Sequence, residues 1–511
     1  MVATSQPLAT QAGVRVLQEG GNAVDAAVAA AAVLDVVEPF STGCGGDAFA
    51  LLHQPDARSP LSFNGSGRAG SLVTLDDLLE KGWTQMPSSG GSTVTVPGAM
   101  HLWFHIVEKY GTLTMGDVLR DAMHYAESGF PVSQIAAASW SDGVGRLQNR
   151  AAKQTYSIRG KGPEIGETMK NPELADVFKR VAKEGVEEFY SGDIAKRIVR
   201  TVRQNDGFLT MQDLQDHKTL ETEPIHTSYR GTTVYEHPPN GQGFAALQML
   251  NIMEEFDLKN HDSLSAERYH LMVEAKKLAY ADLHRHNADP DFYKVPLDTL
   301  LSKEYAKKRS SLLNPEVAAM SYSSGISLGQ DTVYLATADK HGRAVSFINS
   351  LYTSFGSGLV VPGTGIKLQN RGTLFLLDPD HPNCYGPKKL PFHTIIPGAL
   401  YNDDTFLGVF GIMGGAHQAQ AHAQVVSNLV DYNMRPQRAI DHPRFHHNQA
   451  SNTLAIERGI PEMAQYQLLR LGHKVVEVTR GTFGAGQAIL RLDDAWIAGS
   501  DHRKDGMAAG Y

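Results

Sequence analysis

The chain has 511 residues, 42% hydrophobic and 20% charged, with a net charge of −8. That length supports a large core, and with no Lys/Arg run in the sequence, nucleic acid and anionic membrane are not expected as partners. Two cysteines, Cys44 and Cys384, make no disulfide framework and suit a reducing compartment.

The N-terminus has no basic segment followed by an apolar one, and the apolar stretch from Ala26 to Val37 is too short to cross a bilayer. A cytoplasmic protein is the expectation. The first half reads as mainly helical. Leu8–Glu19 carries an apolar face and stops at Gly20-Gly21. Asn22 or Asp25 starts an Ala-rich helix. Shorter helices are expected from Asp76-Asp77 and over Gly98–Tyr110. Pro238–Gly243 is a loop feeding a helix over Phe244–Phe256, and Ser263–Arg285 has long helical periodicity. The second half reads as strands at Asp331–Ala338, Arg343–Ile348, Leu374–Leu377, Phe406–Phe410, Leu454–Ile456, Ala488–Leu492 and Trp496–Gly499, with one helix over His417–Asp431. This mixture lacks a regular βαβ alternation, so stacked layers are expected. Tyr305–Gly329 is polar and Ser-rich, and reads as an exposed segment just ahead of Thr332.

Asp339-Lys340-His341-Gly342 is a turn signal. A short loop pairing Asp339 with Arg343 sets Thr332 opposite Ser350, while a one-residue slip sets Asn349 there. A threonine becomes a strong nucleophile if the bond before it is cut, because the new α-amine is a base held beside its own hydroxyl. Gly411–Ala416 lies between a strand and a helix, where backbone N–H groups suit an oxyanion. Gly65–Gly70 fits G-x-G-x-x-G, but no helix is expected to open inside it, so a pocket loop is preferred to a nucleotide site. His446-His447 and the pair His284 and His286 lack metal-ligand spacing, and neither a metal nor a cofactor is expected. Cys44 has no base near it in sequence and reads as packing.

The chain resembles the γ-glutamyltranspeptidases, which are N-terminal-nucleophile hydrolases. The resemblance rests on Gln11-Ala12-Gly13, Gly20–Ala27, Val37-Glu38-Pro39, Ser41-Thr42-Gly43 with Gly45-Gly46, Asp331-Thr332, Phe355–Gly358, Gly414-Gly415, Pro443–His447 and Ala509–Tyr511. It implies an α+β fold, a four-layer αββα sandwich. It implies self-cleavage at Asp331–Thr332 into a large chain, residues 1–331, and a small chain, residues 332–511. These would form one αββα domain, as an αβ heterodimer or a dimer of heterodimers. Thr332 becomes the nucleophile, Ser350 takes the place of a second threonine, and Gly414 and Gly415 align with the oxyanion glycines.

The departures fall in the substrate pocket. The positions that would grip a glutamyl carboxylate hold Asn64 and His393-Thr394. Those that would grip its amine hold Tyr352, Arg371 and Leu374. An unpaired buried amine costs several kcal/mol, so a smaller anionic amide is expected. Arg371 or Arg68 would clamp its carboxylate, with His393 and Tyr334 further candidates for contact. Such losses resemble the members of the family that convert oxamate to oxalate and ammonia in urate breakdown. The alternatives are a γ-glutamyl hydrolase or transpeptidase, a glutaryl-type acylase, and a non-catalytic binding relative.

Overall fold

The computed structural model describes residues 1–320, 331–476, 478 and 481–511. Helices α1 (Pro7–Gln18) and α2 (Ala23–Val37) open the chain. Asn22 caps α2: its side chain accepts the Val24 N–H at 2.8 Å, and the Asp25 carboxylate accepts the Asn22 N–H at 2.8 Å. This reciprocal pair fixes the helix start. All 15 residues of α2 are buried. Its Ala and Val side chains are small enough to let a helix run through a packed interior. Helices α3 (Ala99–Tyr110), α4 (Met115–Ser128) and α5 (Pro172–Glu184) complete this layer.

Two sheets form the centre. Their strands before the proposed cut are β1 (Val2–Thr4), β2 (Asp47–His53), β3 (Leu61–Gly65), β4 (Leu220–Thr222), β5 (Ile225–Tyr229) and β6 (Thr232–Glu236). β7 (Asp331–Ala338) spans it, and those after it are β8 (Ala344–Tyr352), β9 (Gly398–Asn402), β10 (Thr405–Met413), β11 (Ala485–Leu492), β12 (Ala495–Ser500) and β13 (Met507–Ala509). The seven-stranded sheet runs β13-β1-β7-β8-β2-β3-β4, and the six-stranded sheet runs β12-β11-β10-β9-β6-β5. Phe49, Tyr334, Ile348, Val409, Met413 and Ile489 lie in the apolar core between them. Helices α6 (Gly243–Glu254), α7 (Ala266–His286) and α8 (His417–Val430) cover the six-stranded sheet. The order is helix, sheet, sheet, helix: an α+β sandwich of four layers.

Both sheets take strands from both sides of the Asp331–Thr332 bond. β7 pairs with β1, β8 with β2, and β9 with β6. A cut at that bond would leave two chains sharing one set of hydrogen-bond ladders.

The first half is mainly helical, as expected, with β2 and β3 set among the helices as inner strands of the seven-stranded sheet. Two expectations need correction. Leu374–Leu377 is no strand: Arg371–Leu374 is a 3₁₀ turn, followed by a single bridge from Leu376 to Cys384. Tyr305–Ser310 belongs to a helix, Lys303–Ser310, while residues 321–329 of the proposed exposed segment lie outside the described residues.

Candidate active site

The hairpin β7–β8 builds the first half of the site. The Asp339 N–H donates to the Arg343 carbonyl at 2.9 Å, and Gly342 takes φ +92° in the turn. From there the ladder runs in step to Val333 opposite Asn349, then shifts so that Asp331 pairs with Tyr352. Thr332 and Ser350 therefore face one another, with their hydroxyl oxygens 3.1 Å apart and both residues buried. The shift comes with Tyr352 at φ +81°, a region costly to a bulky side chain. It turns the Tyr352 N–H back onto Ser350 Oγ at 2.9 Å.

The second half comes from the strand-to-helix turn after β10. Gly414 and Gly415 take φ +126° and +56°, and α8 begins two residues later, so the positive end of its dipole faces the turn. Gln418, in the first turn of α8, accepts the Ile396 N–H at 3.0 Å and points its Nε2 at Thr332 Oγ1, 3.5 Å away. Gln242 Nε2 donates to the Gly415 carbonyl at 2.8 Å and also to that of Thr394. A Cβ on Gly484 would sit 1.8 Å from the Met413 carbonyl oxygen, so glycine there lets the 481–484 loop close on Gly414.

A fully buried charged cluster stands behind Ser350. Arg371 donates from Nη1 to Thr394 Oγ1 at 2.8 Å and from Nη2 to Ser350 Oγ at 3.2 Å. Its guanidinium lies 4.6 Å from the Tyr352 ring centre, a cation–π contact. Its Nε is 3.8 Å from Asp47 Oδ2 and makes no hydrogen bond among the described residues. Asp47 accepts the Gly67 N–H at 3.2 Å and faces His393 Nε2 at 3.1 Å. The Ile395 N–H approaches His393 Nδ1 at 3.4 Å, which leaves the ring proton on Nε2 to donate to Asp47. Burial pushes the Asp47 carboxyl up to about 7 against the pull of Arg371. Burial also lowers Arg371 to about 10 and, with Arg371 beside it, holds His393 well below its ordinary range.

Arg371, His393, Thr394 and Tyr352 are thus gathered beside Thr332 and Ser350. Three other expected contacts are not. Arg68 has its guanidinium engaged by Asp289 at 2.9 Å, Asp291 at 2.6 Å and the Lys388 carbonyl at 3.0 Å. Asn64 is occupied by Asn240 at 2.9 Å and by Ser66, bracing the loop whose Asn240 carbonyl accepts the His393 N–H at 2.8 Å. Tyr334 is buried between the sheets, its hydroxyl 2.7 Å from Ser346 Oγ. The glycine loop of residues 65–70 opens no helix, and Gly67 packs against the Val96 carbonyl. Sequence reasoning missed Asp47, Gln418, Gln242 and Gly484. Asp47 alone had a usable signal, as an acid that ends the run Gly43–Gly46.

Thr332 and Gly414 also line a cleft of about 910 Å³, with Ser354, Phe483, Arg458 and Lys504 on its walls. Arg371, Tyr352 and His393 are not among its lining residues, so the charged cluster and the cleft reach Thr332 from different directions.

The gamma-glutamyltranspeptidase family model matches residues 9–511. The chain is 38% identical over 520 residues to the glutathione hydrolase-like YwrD proenzyme of Bacillus subtilis, covering 100% of this chain and 98% of that one. It is 33% identical over 525 residues to the oxamate amidohydrolase proenzyme of Klebsiella pneumoniae, again covering 100% and 98%. Among solved structures, the cephalosporin acylase from Bacillus halodurans superimposes with a TM-score of 0.94 at 41% identity, covering 100% of this chain and 95% of that one.

Proposed function

We propose that this chain, which belongs to the gamma-glutamyltranspeptidase family, cuts its own Asp331–Thr332 bond and then uses Thr332 to hydrolyse the amide of a small carboxylic acid, with oxamate the first substrate to test. The mature pair would be residues 1–331 and 332–511, held by the shared sheets. The α-amine of Thr332 takes the proton of its own hydroxyl. Thr332 Oγ1 attacks the amide carbon, and the N–H groups of Gly414 and Gly415 receive the oxyanion. The amine leaves with the proton. Water then hydrolyses the acyl ester and frees the acid and Thr332.

The observation that supports the substrate class is the buried guanidinium of Arg371 beside Ser350: its Nη1 and Nη2 meet the neutral hydroxyls of Thr394 and Ser350, while its carboxylate neighbour Asp47 lies 3.8 Å off, at Nε. A buried cation whose outer donors meet only neutral oxygens favours a carboxylate beside them. Asp47, the acid beside Arg371, is already shared by Arg371, His393 and Gly67, so it is not free to hold a substrate ammonium. Asp331 pairs with Tyr352 in the uncut chain. Its departure would open the face that Tyr352 and Arg371 share, with His393 and Thr394 closing the short acyl side. Cys44 and Cys384 are both free, which suits the cytoplasm. Among the described residues no helix is long and apolar enough to cross a membrane.

A second reading rests on the cleft. Its volume would hold a leaving group much larger than ammonia, as a glutaryl-type acylase or a γ-glutamyl hydrolase requires. Initial rates on oxamate, a glutaryl anilide and a γ-glutamyl anilide separate the readings. The expected result is a kcat/KM for oxamate at least ~10-fold above that for the γ-glutamyl anilide, since an unmatched ammonium costs well over 1.4 kcal/mol. Faster release from the γ-glutamyl or glutaryl anilide would replace the oxamate reading with the corresponding alternative.

A further inference from the structure

We propose that Arg371 and Asp47 form a positioning pair that acts on Thr332 through Ser350, and that this pair drives self-cleavage as well as turnover. The proposal rests on Thr332 being the nucleophile, as above, and is independent of which amide the mature enzyme takes.

Ser350 Oγ receives two N–H donors, Tyr352 N at 2.9 Å and Arg371 Nη2 at 3.2 Å. A hydroxyl offers one proton and two acceptor sites. With donors at Ser350 Oγ from Tyr352 and Arg371, we assign the proton between the two hydroxyls, whose oxygens are 3.1 Å apart, to Ser350, with Thr332 Oγ1 as its acceptor. Ser350 is then a donor to the nucleophile, backed by a buried guanidinium. Charge-assisted hydrogen bonds of this kind are the strong ones, more so in a low dielectric.

The benefit falls where charge develops. In self-cleavage Thr332 Oγ1 bonds to the Asp331 carbonyl carbon, and the C–N bond of Asp331–Thr332 breaks. The proton lost by Oγ1 ends on the departing nitrogen. Water then adds across the ester, returning the hydroxyl to Thr332 and leaving Asp331 with a carboxyl. As the proton leaves, Oγ1 becomes alkoxide-like, and the Ser350 O–H stabilises it.

Asp47 aims the guanidinium. It lies opposite Ser350 in the β2–β8 ladder, with Oδ2 3.8 Å from Arg371 Nε and Oδ1 anchored by the Gly67 N–H. The titratable groups facing it are Arg371 and His393, with His237 beyond His393, and the Tyr190 phenol, which burial keeps protonated. Burial holds both histidines neutral, His237 down to about 3, so near neutral pH Asp47 is the member of the group that changes charge. Burial pushes its carboxyl up to about 7. Below that pH it is protonated and the ion pair with Arg371 weakens, so self-cleavage should fall on the acid side. Before the cut, Thr332 has no α-amine to contribute a limb of its own.

The test uses full-length chain from cell-free synthesis, chased at fixed pH and sampled on denaturing gels. Arg371→Gln and Asp47→Asn are each expected to slow self-cleavage by at least ~10-fold, with Arg371→Lys recovering part of the rate. Asp47→Asn should also lose the acid limb near pH 7 that the wild type shows. In a Ser350→Ala background, Arg371→Gln should cause no further slowing, because its route to Thr332 is gone. Circular dichroism on the same samples separates loss of rate from loss of fold. Wild-type cleavage rates in a folded Arg371→Gln chain, with a raised KM for anionic amides, would make Arg371 a substrate clamp only and overturn the proposal. A wild-type chain that never cuts would remove Thr332 as nucleophile and the proposal with it.

Discussion

Thr332→Ala is expected to remain one 511-residue chain and to lose amide hydrolysis by roughly 10⁴-fold or more. The size of the effect follows from what no neighbour can replace. Ser350 stands closest, but its oxygen is engaged by Arg371 and Tyr352, and without cleavage no α-amine exists to serve as base. The oxyanion turn survives the substitution, but the uncut Asp331 stays paired with Tyr352, so little residual rate is expected. The fold should survive as well. Thr332 is the second residue of β7, and the ladder from Val333 onward does not use its side chain. Thr332→Ser keeps the hydroxyl and should still cut. Gel mobility and product release on folded protein check both variants.

Gly484→Ala carries the second-largest expected effect, a fall in kcat of about 100-fold or more for the mature enzyme. Gly484 takes φ +60°, and its Cβ would sit 1.8 Å from the Met413 carbonyl oxygen and 3.5 Å from Gly414 Cα. The carbonyl belongs to backbone and cannot rotate aside as a side chain would. The clash is relieved when the Met413–Gly414 link moves, and that link sets where the two glycine N–H groups point. Loss of one oxyanion donor is worth about 2.7–4 kcal/mol in the transition state. KM should change less than kcat, because the ground-state carbonyl leans on that turn weakly. An unchanged kcat would mean that Gly414 and Gly415 do not receive the oxyanion.

Parts of this site were legible in the sequence for local reasons. The turn at Asp339–Gly342 fixes a short hairpin, and a short hairpin fixes the register that brings Thr332 to Ser350. Asn22 and Asp25 announce the start of α2 through a reciprocal cap. What was not legible depends on distant pairing. All seven residues of β2 are buried, so its run Ala-Phe-Ala-Leu-Leu shows no alternation and gives no strand signal. With β2 missed, Asp47 could not be set opposite Ser350, although that pairing puts it beside Arg371. Arg68 was misplaced for a related reason. It follows Asn64 by four residues, but Asp289, 221 residues later, captures it. Tyr334 follows Thr332 by two residues on the same strand face, but by Tyr334 that face has already run in between the two sheets. Leu374–Leu377 is apolar enough for a strand, yet it begins within the turn that carries Arg371 and makes a single bridge.

The central claim is that the chain cuts itself before Thr332 and works from the new terminus. N-terminal sequencing of the two chains, with their intact masses, tests it most directly on purified wild-type protein. The account predicts a smaller chain that begins Thr332-Val333-Tyr334-Leu335 and a larger one that ends at Asp331. A single uncut chain that still hydrolyses amides, or a small chain that begins anywhere other than Thr332, would contradict it.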